Sequence, residues 1–141
     1  MTNLKRATIA VLIMSGLLIQ PGTYVRAQEV DADVCDRPAE THTLRVNETN
    51  NVPTGVTLGN DPMDDLYVCP GDTVAWILQG RGFAIDFSGA TPFDDNQHRA
   101  AAPAGRVSAV VRSDVTRGTS FKYAISLDDG GTLDPRIIVQ D

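Results

Sequence analysis

The chain has 141 residues, with 12 basic and 18 acidic side chains, two cysteines and two histidines. That length suits one domain rather than several. The acidic balance argues against nucleic acid or another polyanion as a partner, because too few cations are present to neutralise a row of phosphates.

Residues 1–27 read as a secretory signal. "MTNLKR" carries Lys5 and Arg6, Ala7 to Ile19 is a mainly apolar run of 13 residues, and "VRA" supplies small or short residues before a cut after Ala27. The run is shorter than the roughly 20 residues of a membrane span, so no stable membrane insertion is expected once the signal is removed. Cleavage would leave one domain, residues 28–141. It would take away Lys5, Arg6 and Arg26 but no acid, so nine bases would face eighteen acids, with Lys122 the last lysine. An exported chain passes through an oxidising space, so Cys35 and Cys69 are expected to pair. Such a bridge would stabilise the fold by roughly 3–4 kcal/mol in the chain-entropy picture.

Next comes a polar, acidic arm, "QEVDADVCDRPAE". "HTLRV" then alternates, with His42, Leu44 and Val46 on one face. "NETNNVPTG" has turn chemistry, "GVTLG" is a short strand candidate and "NDPMDD" a second turn cluster. In "LYVCPGDTVAWIL" a strand enters Pro70-Gly71-Asp72, and another leaves it. "GFAIDF" places Phe83, Ile85 and Phe87 on one face. The segment Ser88 to Gly105 is expected to be a long irregular loop, with at most a turn of helix before Pro103, with Phe93 exposed and His98 solvated. "RVSAVVR" and "FKYAI" are further strands, and "SLDDGGTLDPRIIV" is an acidic glycine loop followed by a closing strand. No stretch of residues 28–141 carries a helical stripe. Seven or eight short strands punctuated by Gly, Pro, Asn and Asp point to an all-β fold, an antiparallel sandwich. Inward positions are expected at Val46, Leu66, Val68, Val74, Trp76, Leu78, Phe83, Ile85, Phe87, Val107, Val111, Phe121, Tyr123, Ile125, Ile137 and Val139.

At "CPGDTVAW" with its following alternating strand, and at "GTSFKYAISLDDGGTLDPRIIV", the chain resembles the cupredoxin family. The resemblance covers most of residues 28–141 and implies a Greek-key β sandwich. Many members carry blue copper, held by two histidine nitrogens, a cysteine thiolate and a weak axial methionine. The resemblance places those ligands near Phe83, at Ile125, at Asp128 and near Leu133, and none of the four residue types matches. It therefore implies a scaffold whose loop has kept its length and lost its ligands, with no cofactor and carbon from Ile125 and Leu133 in the former metal space.

Other chemistry is sparse. His42 lies on the apolar face of its strand, as a strand-end histidine with a satisfied nitrogen would. His42, His98 and Met63 together would suit soft copper if three distant loops converged. The acid pairs Asp64-Asp65, Asp94-Asp95 and Asp128-Asp129 lack the rhythm of a calcium loop and read as solvated charge. "NET" at Asn47 fits an N-glycosylation pattern. No nucleophile–base spacing stands out, so an enzyme is not expected. The expected function is an exported, periplasmic or secreted binding module for an unknown protein or small-molecule partner, with Ser88 to Gly105 and Phe93 as its contact surface. The alternative is a periplasmic metal-handling protein that uses a different kind of site.

Overall fold

The computed structural model describes residues 34–128 and 130–141. The expected signal, residues 1–27, the start of the arm and Asp129 lie outside the described residues. Among the described residues there are twelve β-strands. In chain order they are β1 (Thr41–Thr49), β2 (Val52–Leu58), β3 (Asp61–Pro62), β4 (Asp65–Val68), β5 (Thr73–Ile77) and β6 (Phe83–Asp86). They continue as β7 (Gln97–Ala100), β8 (Arg106–Val110), β9 (Ser120–Lys122), β10 (Ala124–Leu127), β11 (Thr132–Leu133) and β12 (Arg136–Val139).

The strands form an all-β sandwich. One layer is a five-stranded sheet in the order β3-β2-β1-β5-β8. The other comprises a four-stranded sheet, β11-β10-β6-β7, and a three-stranded sheet, β4-β12-β9. Tyr123 separates β9 from β10 and bonds its N–H to Pro135 O at 3.1 Å, so one run of chain serves both smaller sheets. The strand count exceeds the expected seven or eight because Tyr123 alone divides β9 from β10, and because the short strands β3, β7 and β11 lie where turns or loops were expected. The pairing is mixed rather than wholly antiparallel. β1 runs parallel to β5, and β12 parallel to β4.

Alternation explains most of the core. Leu44, Val46, Val74 and Trp76 from the five-stranded sheet share one apolar cluster with Leu66, Val68, Phe83, Ile85, Phe121, Ile125, Ile137 and Val139 from the other layer. Each large buried side chain contributes about 1.5–3 kcal/mol of transfer free energy. Of the sixteen positions expected to face inward, fifteen are buried, and Val107 packs half-buried against the cluster. "NETNNVPTG" is not a long turn. β1 and β2 run through it as a hairpin whose tip is only Asn50 and Asn51, with φ of 52° and 67°. That pair suits a type I′ turn, where both central residues need positive φ.

Two expectations for Ser88 to Gly105 are overturned. The segment is not irregular throughout but holds a strand, β7, because Gln97–Ala100 pairs with β6. Phe93 is 1% exposed. It meets Trp76 edge-on at 5.7 Å and Phe87 at 5.6 Å. It is a core residue supplied by an irregular segment, and therefore not a surface anchor.

Candidate functional site

Four connections meet at one end of the sandwich: the β1–β2 tip, the β5–β6 loop (78–82), the β7–β8 loop (101–105) and the β10–β11 connection (Asp128, Gly130 and Gly131). Leu78 N–H donates to Gly105 O at 2.8 Å, and Gly80 N–H to Pro103 O at 3.3 Å. Arg81 pairs with Glu48 at 3.1 Å, tying the β5–β6 loop to the end of β1. Arg99 on β7 pairs with Asp128 at 2.6 Å. Two glycines permit this convergence. A Cβ on Gly82 would overlap the Asp128 carboxylate, and one on Gly130 would overlap Asn51 O.

Beneath the loops, Phe83, Ile125 and Leu127 are buried, and Leu133 packs against them half-buried. Strand register puts Ile125 opposite both Leu133 and Ile85, and Phe83 opposite Leu127. The positions that the family resemblance assigns to copper ligands therefore gather at this end. Three of them offer carbon, and the fourth, Asp128, offers a carboxylate already engaged by Arg99. That donor set does not fit a type 1 copper ion, which wants thiolate and imidazole. A shallow pocket of about 250 Å³ remains between Gly80, Arg81, Gly82, Ala102 and Asp128. Arg81 and Arg99 both have carboxylate partners, so the charge around this pocket is largely compensated.

Elsewhere, an arrangement absent from the sequence reading emerges. Asp72, in the turn between β4 and β5, is fully buried. Arg37 grips it with two bonds, at 3.1 and 2.7 Å. The N–H groups of Glu40 and Cys69 donate to it at 2.8 and 2.9 Å, and His42 Nε2 lies at 2.9 Å. Burial alone would push this carboxyl up. The donors, Arg37 first, outweigh burial and hold it well below the usual carboxylate range. The Cys35–Cys69 disulfide is formed beside it, so the arm is held both covalently and ionically. His42 has a satisfied nitrogen, as its place on the strand suggested.

His98 differs from expectation. It is half-buried on β7 rather than solvated, stacked on Trp76 at 6.3 Å and edge-on to Phe93 at 5.5 Å. Its Nε2 is buried without a hydrogen-bond partner among the described residues. Trp76 Nε1–H donates to Tyr123 Oη at 3.2 Å. Burial pushes the Tyr123 phenol far above its ordinary value, more than the Trp76 bond offsets.

The soft-metal set is not assembled. His42 is committed to Asp72, His98 belongs to the aromatic cluster, and Met63 packs on the core after β3. Among the described residues no three His, Cys, Asp or Glu groups are placed to hold a metal ion. Of the acid pairs, Asp65 takes two bonds from Arg136, at 2.7 and 3.0 Å, and Asp94 and Asp95 border a groove beside β8. Asn47 sits half-buried where the β1–β2 register shifts.

No family model matches the sequence. No curated protein matches it either. Among solved structures, a reduced Cu(I) form of an amicyanin variant is similar, with 14% identity over 74% of this chain and 84% of that chain, at a TM-score of 0.43. At that level no chemistry transfers, and the residues of this chain decide its reading.

Proposed function

We propose that this chain is an exported, non-enzymatic interaction module: a cupredoxin-like sandwich without a type 1 copper centre, acting through its surface on a protein or small-molecule partner. The observation that carries the reading is the loop end. There Phe83, Ile125, Leu127 and Leu133 fill the interior with hydrocarbon, and the Arg99–Asp128 pair closes it. Filling such a space with carbon is stable, because no buried charge or lone pair is left to satisfy. A catalytic site would need a nucleophile or base directed into a pocket. The loop-end pocket offers only paired charges and backbone. Export is supported by the Cys35–Cys69 disulfide, which belongs to oxidising compartments.

Metal titration tests the reading. Purified protein exposed to Cu(I), Cu(II) and Ca²⁺ at micromolar concentration is expected to bind none stoichiometrically and to develop no intense blue band. A blue charge-transfer band, or one tightly held copper per chain, would overturn it. The metal-handling alternative gains no support from the placement of His42, His98 and Met63.

A further inference from the structure

β8 is an edge strand of the five-stranded sheet, pairing with β5 alone, and just past its end Arg112 N–H donates to Pro92 O at 2.9 Å, which sets residues 92–95 beside Val110. The bonds Val111 N–H to Asp72 O and Leu78 N–H to Gly105 O, both 2.8 Å, fix its parity. By alternation, Val107 and Ala109 direct their backbone groups to β5, while Arg106, Ser108 and Val110 direct theirs away from it. Those three residues take part in none of the backbone bonds outside the ladders.

The other edges are blunted, as edges of soluble proteins usually are. β3 and β11 are two residues long, and β3 carries Pro62. β9 is three residues long and ends in Lys122. On β7, Arg99 and Gln97 are occupied by Asp128 and Asp86. β4 has four residues, with Asp65 taken by Arg136. β8 has five, with neither proline nor lysine, and leaves Val110 56% exposed.

The strand is also self-complementary. Arg106, at one end, has no ion-pair partner among the described residues. Asp94 and Asp95 have none either, and they share a groove of about 240 Å³ with Ser108 and Val110 at the other end. We propose that β8 is a self-association edge: two copies of this chain pair antiparallel through β8 about a two-fold axis at Ser108. Ser108 then faces itself, and Arg106 of each copy faces Val110 of the other, where Asp94 and Asp95 wait. Arg106, Ser108 and Val110 exchange both backbone bonds with their opposites, giving six in all. An axis at Val107 would leave only two such pairs, and one at Arg106 would set two arginines against each other, which is unfavourable. The interface is isologous, as a two-fold demands. Two five-residue edges cover less than the roughly 1,200 Å² of a standard stable interface, so the dimer is weak and concentration-dependent.

Sedimentation equilibrium on the purified protein, from micromolar to millimolar, is the test. A reversible monomer–dimer equilibrium is expected. Arg106→Glu is expected to weaken it at least tenfold, as is the double change Asp94→Arg with Asp95→Arg, and combining all three should restore it. These are surface changes, and circular dichroism verifies that each variant folds. Under mild oxidation Ser108→Cys should form a disulfide-linked dimer, whereas Val110→Cys, which faces Arg106, should not. A protein monomeric at millimolar concentration, a dimer insensitive to Arg106→Glu, or equal cross-linking at both cysteine positions would overturn the proposal.

Discussion

Asp72 is where single atoms matter most. A buried carboxylate receiving Arg37, two backbone N–H groups and His42 stabilises the fold only while every donor is present. Asp72→Asn would remove the buried charge on which Arg37, His42 and the two backbone N–H groups converge, at an expected cost of about 2–4 kcal/mol near neutral pH. Urea denaturation measures it. The donors depress the folded carboxyl below its ordinary value of about 3.9, so this stabilisation is complete above roughly pH 4. It fades as pH falls below that value toward the folded one. The unfolding curves of the wild type and Asp72→Asn should therefore converge in acid, and a gap that stayed constant down to pH 2 would refute the assignment. Tyr123→Phe strands the Trp76 indole N–H in the core and should cost about 1–3 kcal/mol, with a change in tryptophan emission as the companion signal. The inward faces of "GFAIDF" and "FKYAI" were legible because alternation writes burial directly into sequence. Asp72 was legible as a turn residue but not as a hub, since its partner Arg37 lies 35 positions away. Phe93 was misread because one aromatic among Thr, Pro and Asp has no period to reveal it. His98 does alternate with Gln97 and Arg99, but over a run too short to stand out.

At the level of elements, the loop end depends on how closely chain segments approach. Gly130 lies against Asn51 O, and Gly82 against Asp128, so the β10–β11 loop fits only because side chains are missing there. Gly130→Ala should force the loop off the β1–β2 tip and cost about 1–3 kcal/mol. Hydrogen exchange should accelerate at the tip of the hairpin while β5 stays protected, and unchanged exchange at Asn51 would count against this packing. Alternation anticipated that Phe83 and Ile125 would face inward at this end. It could not anticipate the Arg99–Asp128 and Arg81–Glu48 pairs, because ion pairs across loops leave no local pattern. Nor could alternation alone distinguish parallel from antiparallel neighbours. β1 with β5 and β4 with β12 became visible only in the register.

For the molecule as a whole, the disulfide and the hidden carboxylate form one clasp, binding the arm to the turn between β4 and β5. Reduction in a thiol buffer should lower stability by roughly 3–4 kcal/mol, read as a fall in melting temperature, without abolishing the sandwich. The apolar cluster spans both layers and includes neither cysteine. Complete unfolding on reduction at room temperature would show that the core is weaker than its burial implies. Strand alternation and turn residues pointed to the class of fold. Partner identity was never written there, because a surface used for association obeys no periodicity.

The place of β12 has one more consequence. Arg136–Val139 is not an edge but the centre of its sheet, flanked by β4 on one side and β9 on the other. Those two strands cannot join until the polypeptide has been made as far as residue 139. A ribosome still holding that stretch in its tunnel carries a nascent chain with an open gap in the middle of a layer. Closure is therefore an event that follows synthesis of β12, and until then the two flanking strands of that layer have no neighbour between them.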